Sequence, residues 1–512
     1  MFPVPAPTQK VPEMNLSDAF TFASRLCPEK TALIYGPRSY TYGEMNRLID
    51  GVAGRLRDLG ASKGTRVALY MANRPEWILL YYGAARIGAV PVCVPGAYRK
   101  REATDTVRDS RSALLVSSEE LRAELPDRGD IPSVDAVVAV ESDTGFEAVL
   151  GRGPSAAPPA ADGLEAPVTR GDDPGSILYT GGTTGVPKGA VLTHGNLIYS
   201  AQNVAYHERT TPEDVGVCFM PLSHVFAQCH IMNSFFLSCA TLVLFPSFDI
   251  DGVLSAVERH GVTRFYAVPT IYIRILNAPE TRKRLRSLSY AFSGGTSMPA
   301  EIVRRWIDAF GIPIHEAYGM TEAASCVTYN HMFRHRIGSI GQPAGIVEVR
   351  IVDDGGRELP PGEQGEIVLR GPNVMKEYFG HPQETAVALR GGWFHSGDVG
   401  LFDSDGYLYI VDRIKDVIIT GGENVYPKEV EDLLHQHEAV SECGVVGLPH
   451  EEYGEAVTAF VALKPGRSVG PEELVAFCKA RIAGYKVPKT IRFVADLPKS
   501  PQGKILRRAL RK

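Results

Sequence analysis

The stretch Tyr179–Gly189, with the sequence YTGGTTGVPKG, combines four glycines, three threonines and one lysine in eleven residues. Glycine allows the backbone to approach a ligand closely and to adopt positive φ angles, and such a turn presents backbone N–H groups to an anion. The threonine hydroxyls add hydrogen-bond donors, and Lys188 adds a positive charge. Taken alone, the stretch predicts a loop that binds a polyphosphate, and the alternative is a glycine-rich surface turn.

The order of residues in this loop excludes the phosphate loop of kinase-like enzymes. That motif requires GxxxxGK followed by serine or threonine, with the lysine at the start of a helix. Here Lys188 stands between Pro187 and Gly189, and the hydroxyl groups come earlier, from Thr180 to Thr184. If this loop binds a polyphosphate, it therefore does so in a different manner from a kinase phosphate loop.

Length and composition indicate an ordinary globular protein with at least two domains. The chain has 512 residues, 44% of them hydrophobic and 22% charged, and a formal net charge of -5. It lacks the excess of basic residues that would indicate binding to nucleic acid. The longest apolar run, 231–246, is shorter than the roughly 20 residues that span a bilayer and is expected in the core. The eight cysteines form no CxxC pair, which favours a reducing compartment. We therefore expect a cytoplasmic protein without an integral membrane segment.

Alternating strand and helix patterns predict a parallel sheet covered by helices. RVALYM (66–71) is typical of a buried strand, EWILLYYGAARIG (76–88) of a helix and AVPVCV (89–94) of the next strand. The pattern changes after Asp412, where GGENVYPKEVEDLLHQH (421–437) predicts a turn and then a helix whose first residue is Pro427. The last hundred or so residues are enough for a separate small α+β domain.

Five motifs together make the interpretation specific. YTGGTTGVPKGAVLTH, AYGMTEAA, GWFHSGDVG, DRIKDVIITGGENVYPKEVE and PKSPQGKILRRAL occur in this order along the chain. In combination they resemble the ANL superfamily of adenylate-forming enzymes, and the resemblance covers essentially the whole sequence. It implies an α/β fold with a large N-terminal domain, residues 1–414, of parallel-type sheets sandwiched by helices, plus a small β-barrel. It also implies a small mobile α+β C-terminal domain, residues 415–512.

The resemblance implies which residues bind ATP and AMP. Tyr318 would be the ring stacked on adenine, FSGG (292–295) the other wall of that site, and Asp398 the ligand of the ribose hydroxyls. The positions that match the family's nucleotide site are Thr180, Gly181, Gly182, Thr183, Thr184, Lys188, Gly294, Gly295, Glu316, Ala317, Tyr318, Thr321, Asp398, Arg413 and Lys504. A turn cap is the structural alternative for Asp398.

Four residues are implied to act in catalysis: Lys504, Glu322, Arg413 and Lys188. Lys504 would reach into the large domain and stabilise charge on the α-phosphate while a substrate carboxylate displaces pyrophosphate. Positioned charge of this kind is typically worth about 10²–10³ in rate. Glu322 and Thr180 would hold the Mg²⁺ that accompanies ATP. A solvated surface carboxylate is the alternative for Glu322, and an exposed solubilising lysine for Lys504.

The acid and the thiol are expected to bind at two further segments. In MPLSHVFAQCH (220–230), His224 and Val225 stand where relatives that activate amino acids need an acidic side chain for the ammonium group. By resemblance, His224, Val225 and Gly319 contact the acyl substrate, and a satisfied core histidine is the alternative for His224. Gly421, Gly422 and Glu423 are implied to face the tunnel for the thiol, and Lys415 to be the hinge between the domains.

The sequence thus predicts an acid–thiol ligase of the AMP-forming acyl-CoA synthetase type. The favoured hypothesis is activation of a medium- or long-chain aliphatic acid to acyl-AMP, followed by transfer to CoA, with ATP and Mg²⁺ required. The first alternative is an acyl-AMP ligase that loads the phosphopantetheine arm of an acyl carrier protein. The second is a non-catalytic acyl- or nucleotide-binding relative, which the presence of Lys504, Glu322 and Asp398 disfavours.

Overall fold

The computed structural model describes residues 14–140, 169–180, 187–296, 298–331, 333–413, 416–499 and 505–511. Buried apolar residues form one large core cluster between Leu16 and Leu408 and another that begins at Ile418. Separate cores are what a two-domain chain requires. Residues 414 and 415 lie outside the described ranges, so the boundary between 414 and 415 stays a prediction.

Strands are spread along the whole chain, and most of them belong to the large N-terminal part. They are β1 (Thr31–Tyr35), β2 (Arg38–Thr41), β3 (Arg66–Met71), β4 (Val90–Pro95), β5 (Leu114–Ser118), β6 (Ala136–Val140), β7 (Pro174–Thr180), β8 (Lys188–Thr193), β9 (Val215–Cys218), β10 (Thr241–Leu244), β11 (Arg264–Ala267), β12 (Tyr290–Ser293), β13 (Ile314–Glu316), β14 (Gly319–Met320), β15 (Ser325–Cys326), β16 (Thr328–Tyr329), β17 (Gln342–Pro343), β18 (Glu348–Val352), β19 (Gly365–Arg370), β20 (Glu377–Tyr378), β21 (Phe394–Phe402), β22 (Leu408–Arg413), β23 (Ile418–Thr420), β24 (Glu423–Val425), β25 (Val440–His450), β26 (Gly454–Leu463) and β27 (Thr490–Phe493).

Helices connect and cover these strands. The α-helices are Leu16–Leu26, Tyr42–Asp58, Pro75–Arg86, Lys100–Asp109, His194–Glu208, Ser234–Leu237, Ile250–His260, Pro269–Leu276, Ala300–Phe310, Pro382–Ala388, Pro427–Leu434, Pro471–Lys479 and Arg507–Leu510. A π-helix spans Phe226–Asn233, and 3₁₀ turns span Glu119–Glu124, Arg128–Asp130, Pro279–Leu285, Thr321–Ala323, Arg390–Gly392 and Gly484–Lys486.

Two seven-stranded sheets form the centre of the large domain. One has the order β13-β12-β11-β9-β10-β1-β2 and is parallel from β13 to β1. The other has the order β20-β8-β7-β4-β3-β5-β6 and is parallel from β7 to β6. The helix Pro75–Arg86 is buried along all but its last residue, as expected of a helix that is apolar all round. The predicted α/β fold, and the strand–helix–strand unit from β3 to β4, are confirmed.

The last strands of the large domain form an antiparallel sheet of the order β18-β19-β21-β22. In the part of the chain that the structure describes, the outer strands β18 and β22 are not paired with each other. The small β-barrel implied by the family resemblance stays a prediction. The sheet presents β21 and β22 to the functional site.

The small domain has a five-stranded sheet of its own, in which β24, β23, β26 and β25 are antiparallel neighbours and β27 pairs in parallel with β26. The helix Pro427–Leu434 begins at the proline predicted as its first residue and carries Glu429 in its first turn, where acidic groups favour the helix dipole. Its buried face, with Val430 and Leu434, packs in the core of this domain.

The longest apolar run lies inside the large domain. It covers the end of the π-helix, the short helix Ser234–Leu237 and β10, and its aromatic residues Phe235 and Phe236 are fully buried. The prediction that this run belongs to the core is confirmed. None of the helices in the described ranges is long and apolar enough to cross a membrane. The cytoplasmic location stays a prediction.

Candidate active site

The two strands that flank the glycine-rich loop bring Thr180 and Lys188 opposite each other. β7 ends at Thr180, β8 begins at Lys188, and these two residues are paired in the antiparallel register. Lys188 thus starts a strand and not a helix, which confirms that the loop differs from a kinase phosphate loop. Gly181, Gly182, Thr183 and Thr184 lie outside the described residues, so their contacts stay predictions.

Glu322 lies beside this strand pair, in the 3₁₀ turn Thr321–Ala323. Its Oε1 accepts a hydrogen bond from the Tyr378 hydroxyl at 2.9 Å and another from Thr180 Oγ1 at 3.4 Å. Lys188 Nζ lies 5.4 Å from the centre of the Tyr378 ring. Burial, and then the Glu322 carboxylate, raise the pKa of Tyr378 well above its usual value, so the hydroxyl remains a donor. The structure therefore brings Thr180, Lys188 and Glu322 together around Tyr378, while their roles stay predictions.

Tyr378 was missed by the sequence analysis. It reaches the site because β20 pairs with the edge strand β8, with Tyr378 opposite Ala190. Its partner Glu322 lies 56 residues away in the chain, and no local motif marks such a contact.

A second group of side chains joins Tyr318, Asp398 and Arg413. The Tyr318 hydroxyl donates to Asp398 Oδ2 at 2.7 Å, and Arg413 Nε lies 3.0 Å from Asp398 Oδ1. Asp398 and Arg413 are direct partners in the register of β21 and β22. Burial, together with Asp398, raises the pKa of Tyr318. Burial lowers the pKa of Arg413, but Asp398, Tyr318, Asp416 and Glu322 together leave it above its usual value. These contacts hold the Asp398 carboxylate in place, which suits a ligand for sugar hydroxyls.

The strands β12 and β13 end side by side, with Ser293 opposite Glu316. Gly294 and Gly295 follow β12, and Gly295 has a φ of +84°, which glycine adopts without strain. Parallel sheets bind ligands at the carboxyl ends of their strands, so this edge suits the adenine wall predicted from FSGG. The Glu316 side chain is buried, and its Oε1 accepts from the Met298 N–H at 3.1 Å. Burial raises the pKa of Glu316 from 4.5 to about 8, so it is mostly protonated at neutral pH.

The predicted acyl residues His224 and Val225 lie directly before the π-helix Phe226–Asn233. His224 Nδ1 accepts from the Phe226 N–H at 3.2 Å, and Val225 is buried. The Phe226 ring lies against Gly294, where an added Cβ would be 3.2 Å from it. The start of the π-helix thus meets the nucleotide wall, which is where an acyl group has to be joined to AMP.

Gly319 occupies the tightest position of the site. A Cβ added there would lie 1.5 Å from the carbonyl oxygen of Ser325, its neighbour across the β14–β15 hairpin. Two residues at the far side of this hairpin, Ala324 and Ser325, have φ angles of +47° and +100°, which side chains other than glycine rarely adopt. Ser325 Oγ lies 3.3 Å from His230 Nδ1 on the π-helix. The hairpin therefore links the Glu322 turn to the predicted acyl site.

The residues predicted for the thiol tunnel lie at the surface of the small domain. Gly421 and Gly422 join β23 to β24, with φ angles of +60° and +84°, and both are exposed, as is Glu423. The Gly421 N–H donates to the Tyr453 carbonyl at 2.9 Å. In this arrangement the tunnel residues are not buried against the large domain. Lys415 and Lys504 lie outside the described residues, so the hinge and the catalytic lysine stay predictions.

The structure thus defines a nucleotide-binding enzyme whose polar side chains converge on the ends of two sheets. The family models described as AMP-binding enzyme and AMP-binding enzyme C-terminal domain match residues 20–379 and 429–504. The chain belongs to this family, the acyl-CoA synthetases and ligases of the ANL superfamily, which confirms the resemblance and the predicted enzyme class.

Curated relatives match over nearly their full length. The chain is 38% identical to a feruloyl-CoA synthase from Amycolatopsis sp, with 96% of this chain and 97% of the relative covered. It is 33% identical to a long-chain-fatty-acid–CoA ligase from Bacillus subtilis, with 98% and 94% covered. Both relatives are named as a CoA ligase or a CoA synthase, and neither name refers to a carrier protein.

Solved structures give the same result. An anthranilate CoA ligase in complex with anthranoyl-AMP superposes with a TM-score of 0.91 at 29% identity, covering 98% of this chain and 97% of the other. ATP-bound MatB from Rhodopseudomonas palustris superposes with a TM-score of 0.89 at 31% identity, covering 97% and 98%. Adenylate-forming acyl-CoA ligase activity, with ATP and CoA as substrates, is thereby supported for this chain.

Proposed function

We propose that this enzyme joins a compact aromatic carboxylic acid to CoA by way of an enzyme-bound acyl-AMP. The observation that carries the proposal is that two side-chain groups, Thr180–Lys188–Glu322 and Tyr318–Asp398–Arg413, flank the short strand β14, since Tyr318 precedes it and Glu322 lies in the turn after it. The hairpin that β14 forms with β15 also contacts the π-helix. The first group suits phosphates and the second a ribose. An acid that lies against Phe226 would be within reach of the nucleotide.

In the first step, an oxygen of the substrate carboxylate attacks the α-phosphorus of ATP, and pyrophosphate leaves. Lys188 and Lys504 would counter the charge on the phosphates. The carboxylate of Glu322 and the hydroxyl of Thr180 supply the oxygen ligands that Mg²⁺ prefers, and they lie 3.4 Å apart, so they fit a shared ion. Bound there, Mg²⁺ would neutralise the polyphosphate. Asp398 and Arg413 hold the ribose and thereby keep the α-phosphate in line for attack.

In the second step, the CoA thiol attacks the acyl carbon and AMP leaves. A carboxylate oxygen is a poor leaving group, whereas AMP is a good one, so the first step makes the second possible. The thiol needs a path to the acyl carbon that Lys504 does not block. The exposed hairpin around Gly421 and Gly422 is free to supply that path after rotation about Lys415, because its glycines leave room for a thin pantetheine arm.

The packing around the π-helix supports a compact aromatic acid. The rings of Phe226, His230 and Phe292 lie 4.3–5.7 Å apart. Behind them the buried carboxylate of Glu208 accepts from His230 Nε2 and from the Tyr329 hydroxyl, each at 2.8 Å. A long aliphatic chain that continued past this layer of rings would meet buried polar groups. Separating those groups from their hydrogen-bond partners costs free energy.

The apolar tracts 231–238 and 265–276 pack as core and leave no acyl channel between the side chains named below. Phe236 packs against Phe20, Tyr42 and Tyr82, with ring centres 5.4–6.2 Å apart, and Tyr272 packs against Trp306 at 4.8 Å. Similar proteins include a feruloyl-CoA synthase and an anthranilate CoA ligase, both named for aromatic acids. A medium- or long-chain aliphatic acid stays the alternative, and a long-chain relative keeps it open.

A panel of acids tests the proposal directly. Benzoate-sized and cinnamate-sized acids are compared with aliphatic acids of six to sixteen carbons, each with ATP, Mg²⁺ and CoA, and acyl-CoA and AMP are quantified by mass spectrometry. We expect kcat/KM for the best aromatic acid to exceed that for every aliphatic acid by at least about 10-fold, because a misfit of one or two methylenes costs 1–3 kcal/mol. A fatty acid as the best substrate would reject the aromatic assignment, and turnover only with a holo carrier protein would reject CoA as acceptor.

A further inference from the structure

The last turn of the chain is fixed to a group of three carboxylates by one side chain, Arg507. Its Nη1 lies 2.9 Å from Asp412 Oδ1 and 3.4 Å from Asp416 Oδ2, and its Nη2 lies 2.8 Å from Glu431 Oε2. All three carboxylates are at most 15% exposed. The planar guanidinium suits such multiple contacts, since its N–H groups point in fixed directions.

Asp412 belongs to the large domain, whereas the other members of this group belong to the small one. Asp412 is on β22, and its Oδ1 also accepts from the Arg413 N–H at 2.8 Å. Arg413 in turn contacts Asp398 of the ribose site. A short chain of contacts therefore runs from Arg507 through Asp412 and Arg413 to Asp398, the proposed ribose ligand.

Arg507 also follows Lys504 by only three residues. Both ends of the intervening stretch are held by described residues, because Ile505 pairs with Lys499 and the Leu506 N–H donates to the Pro498 carbonyl at 2.8 Å. Three residues span at most about 10 Å. Whatever fixes Arg507 against Asp412 thus also restrains the part of the chain to which Lys504 is joined.

We propose that Arg507 is a positioning residue for the adenylation step, acting through its ion pair with Asp412. The pair ties the end of the chain that carries Lys504 to the large domain, while Glu431 orients the guanidinium from within the small domain. Adenylation needs Lys504 near the α-phosphate, whereas attack of the thiol does not. The Arg507–Asp412 contact therefore supports the first step and is dispensable for the second.

The test compares the two half-reactions in three variants of the full-length enzyme. Asp412→Asn removes the negative charge that faces Arg507 across the domains. Arg507→Lys keeps the positive charge at position 507 but removes the planar guanidinium and its fixed N–H directions. Asp416→Asn is the matched control, since it removes a carboxylate on Arg507 that lies in the small domain. The rate of the first step is measured as acid-dependent exchange of pyrophosphate into ATP. The rate of the second step is measured as thioester formation from supplied acyl-AMP and CoA. The acid and its adenylate are those of the best substrate in the panel above.

For Asp412→Asn we expect the exchange rate to fall by about 10-fold to 100-fold, the size of effect that a misplacement of about 1 Å causes. The thioester step should stay within about 3-fold of wild type, and Asp416→Asn should alter both steps by less than about 3-fold. Arg507→Lys should fall between wild type and Asp412→Asn in the exchange assay. The proposal would be overturned by equal losses in both half-reactions or by equal effects of Asp412→Asn and Asp416→Asn. It would also be overturned if neither Asp412→Asn nor Arg507→Lys gave folded protein. Failure of every acid in the panel would instead refute the proposed substrate class.

Discussion

At the scale of single residues, the active site depends on carboxylates in unlike surroundings. Glu322 accepts hydrogen bonds from Thr180 and Tyr378 and lies where Mg²⁺ and phosphates would bind. Glu316 is buried at a strand end and receives one N–H group. The surroundings of each carboxylate have a measurable consequence.

Replacing Glu322 should impair adenylation more than folding. In Glu322→Gln the side chain keeps its shape and its acceptor for Tyr378, but it loses the charge that Mg²⁺ requires. We expect the rate of pyrophosphate exchange to fall by about 10²–10³, as is usual when one preorganised electrostatic group is removed, and the half-saturating Mg²⁺ concentration to rise. The exposed Glu363 provides the control, because Glu363→Gln should leave both values unchanged. A normal rate in Glu322→Gln would show that another group holds the ion.

The pKa of Glu316 predicts how stability depends on pH. Burial raises this pKa from 4.5 to about 8, so the folded protein keeps a proton that the unfolded chain has released. The free energy of unfolding should therefore fall between pH 4.5 and 8, by up to about 1.4 kcal/mol per pH unit. Glu316→Gln keeps an acceptor for Met298 but cannot titrate.

Urea unfolding of wild type and Glu316→Gln at pH 5 and at pH 8, followed by tryptophan fluorescence, measures this effect. We expect the stability of wild type relative to the variant to drop by an amount on the order of 2–4 kcal/mol between the two pH values. The same difference at both pH values would mean that Glu316 is ionised in the folded protein throughout this range.

At the scale of elements, the β14–β15 hairpin makes the strictest demand on sequence. Gly319 has no room for a Cβ, because the Ser325 carbonyl is 1.5 Å from its position. Gly319→Ala should force the two strands apart, lower the free energy of unfolding by about 1–3 kcal/mol and reduce pyrophosphate exchange as Glu322 shifts.

A second glycine gives the matched control for this prediction. Gly54 lies in the helix Tyr42–Asp58 with no heavy atom within 4 Å of an added Cβ. Gly54→Ala should raise the free energy of unfolding by about 0.5–1 kcal/mol, since alanine favours helix. Thermal denaturation and the exchange assay on both variants check the pair, and a stable, active Gly319→Ala would contradict the close packing of the hairpin.

Local patterns in the sequence predicted most elements but few of the contacts between them. Continuous apolar runs marked β3 and β4, and Pro427 marked the start of its helix, because these signals act over a few residues. Tyr378 was missed because strand pairing brings it to Glu322. Arg507 was missed because its partners Asp412 and Glu431 are 95 and 76 residues away.

At the scale of the whole molecule, the division into two cores predicts that the large domain folds alone. Its core cluster ends at Leu408, before the small domain's core begins at Ile418. A fragment of residues 1–414 should therefore unfold cooperatively and keep the fluorescence of its tryptophans, which are all in this part of the chain. It should lack pyrophosphate exchange, because Lys504 is absent from it.

Full-length Lys504→Ala is the control for the fragment, and both should fall to the same residual exchange rate. Denaturation in urea and the exchange assay provide the measurements. An unfolded or aggregated fragment would place the domain boundary elsewhere, and exchange that survives in both proteins would remove Lys504 from the first step.

The hairpin from Gly319 to Ser325 also carries two functions on one rigid loop. One side holds the Glu322 carboxylate, and the other touches His230 on the π-helix. A change that reshapes this loop for another acid must also move the carboxylate next to the nucleotide. We therefore expect altered acid preference in this lineage to be accompanied by altered affinity for ATP whenever the change falls within these seven positions.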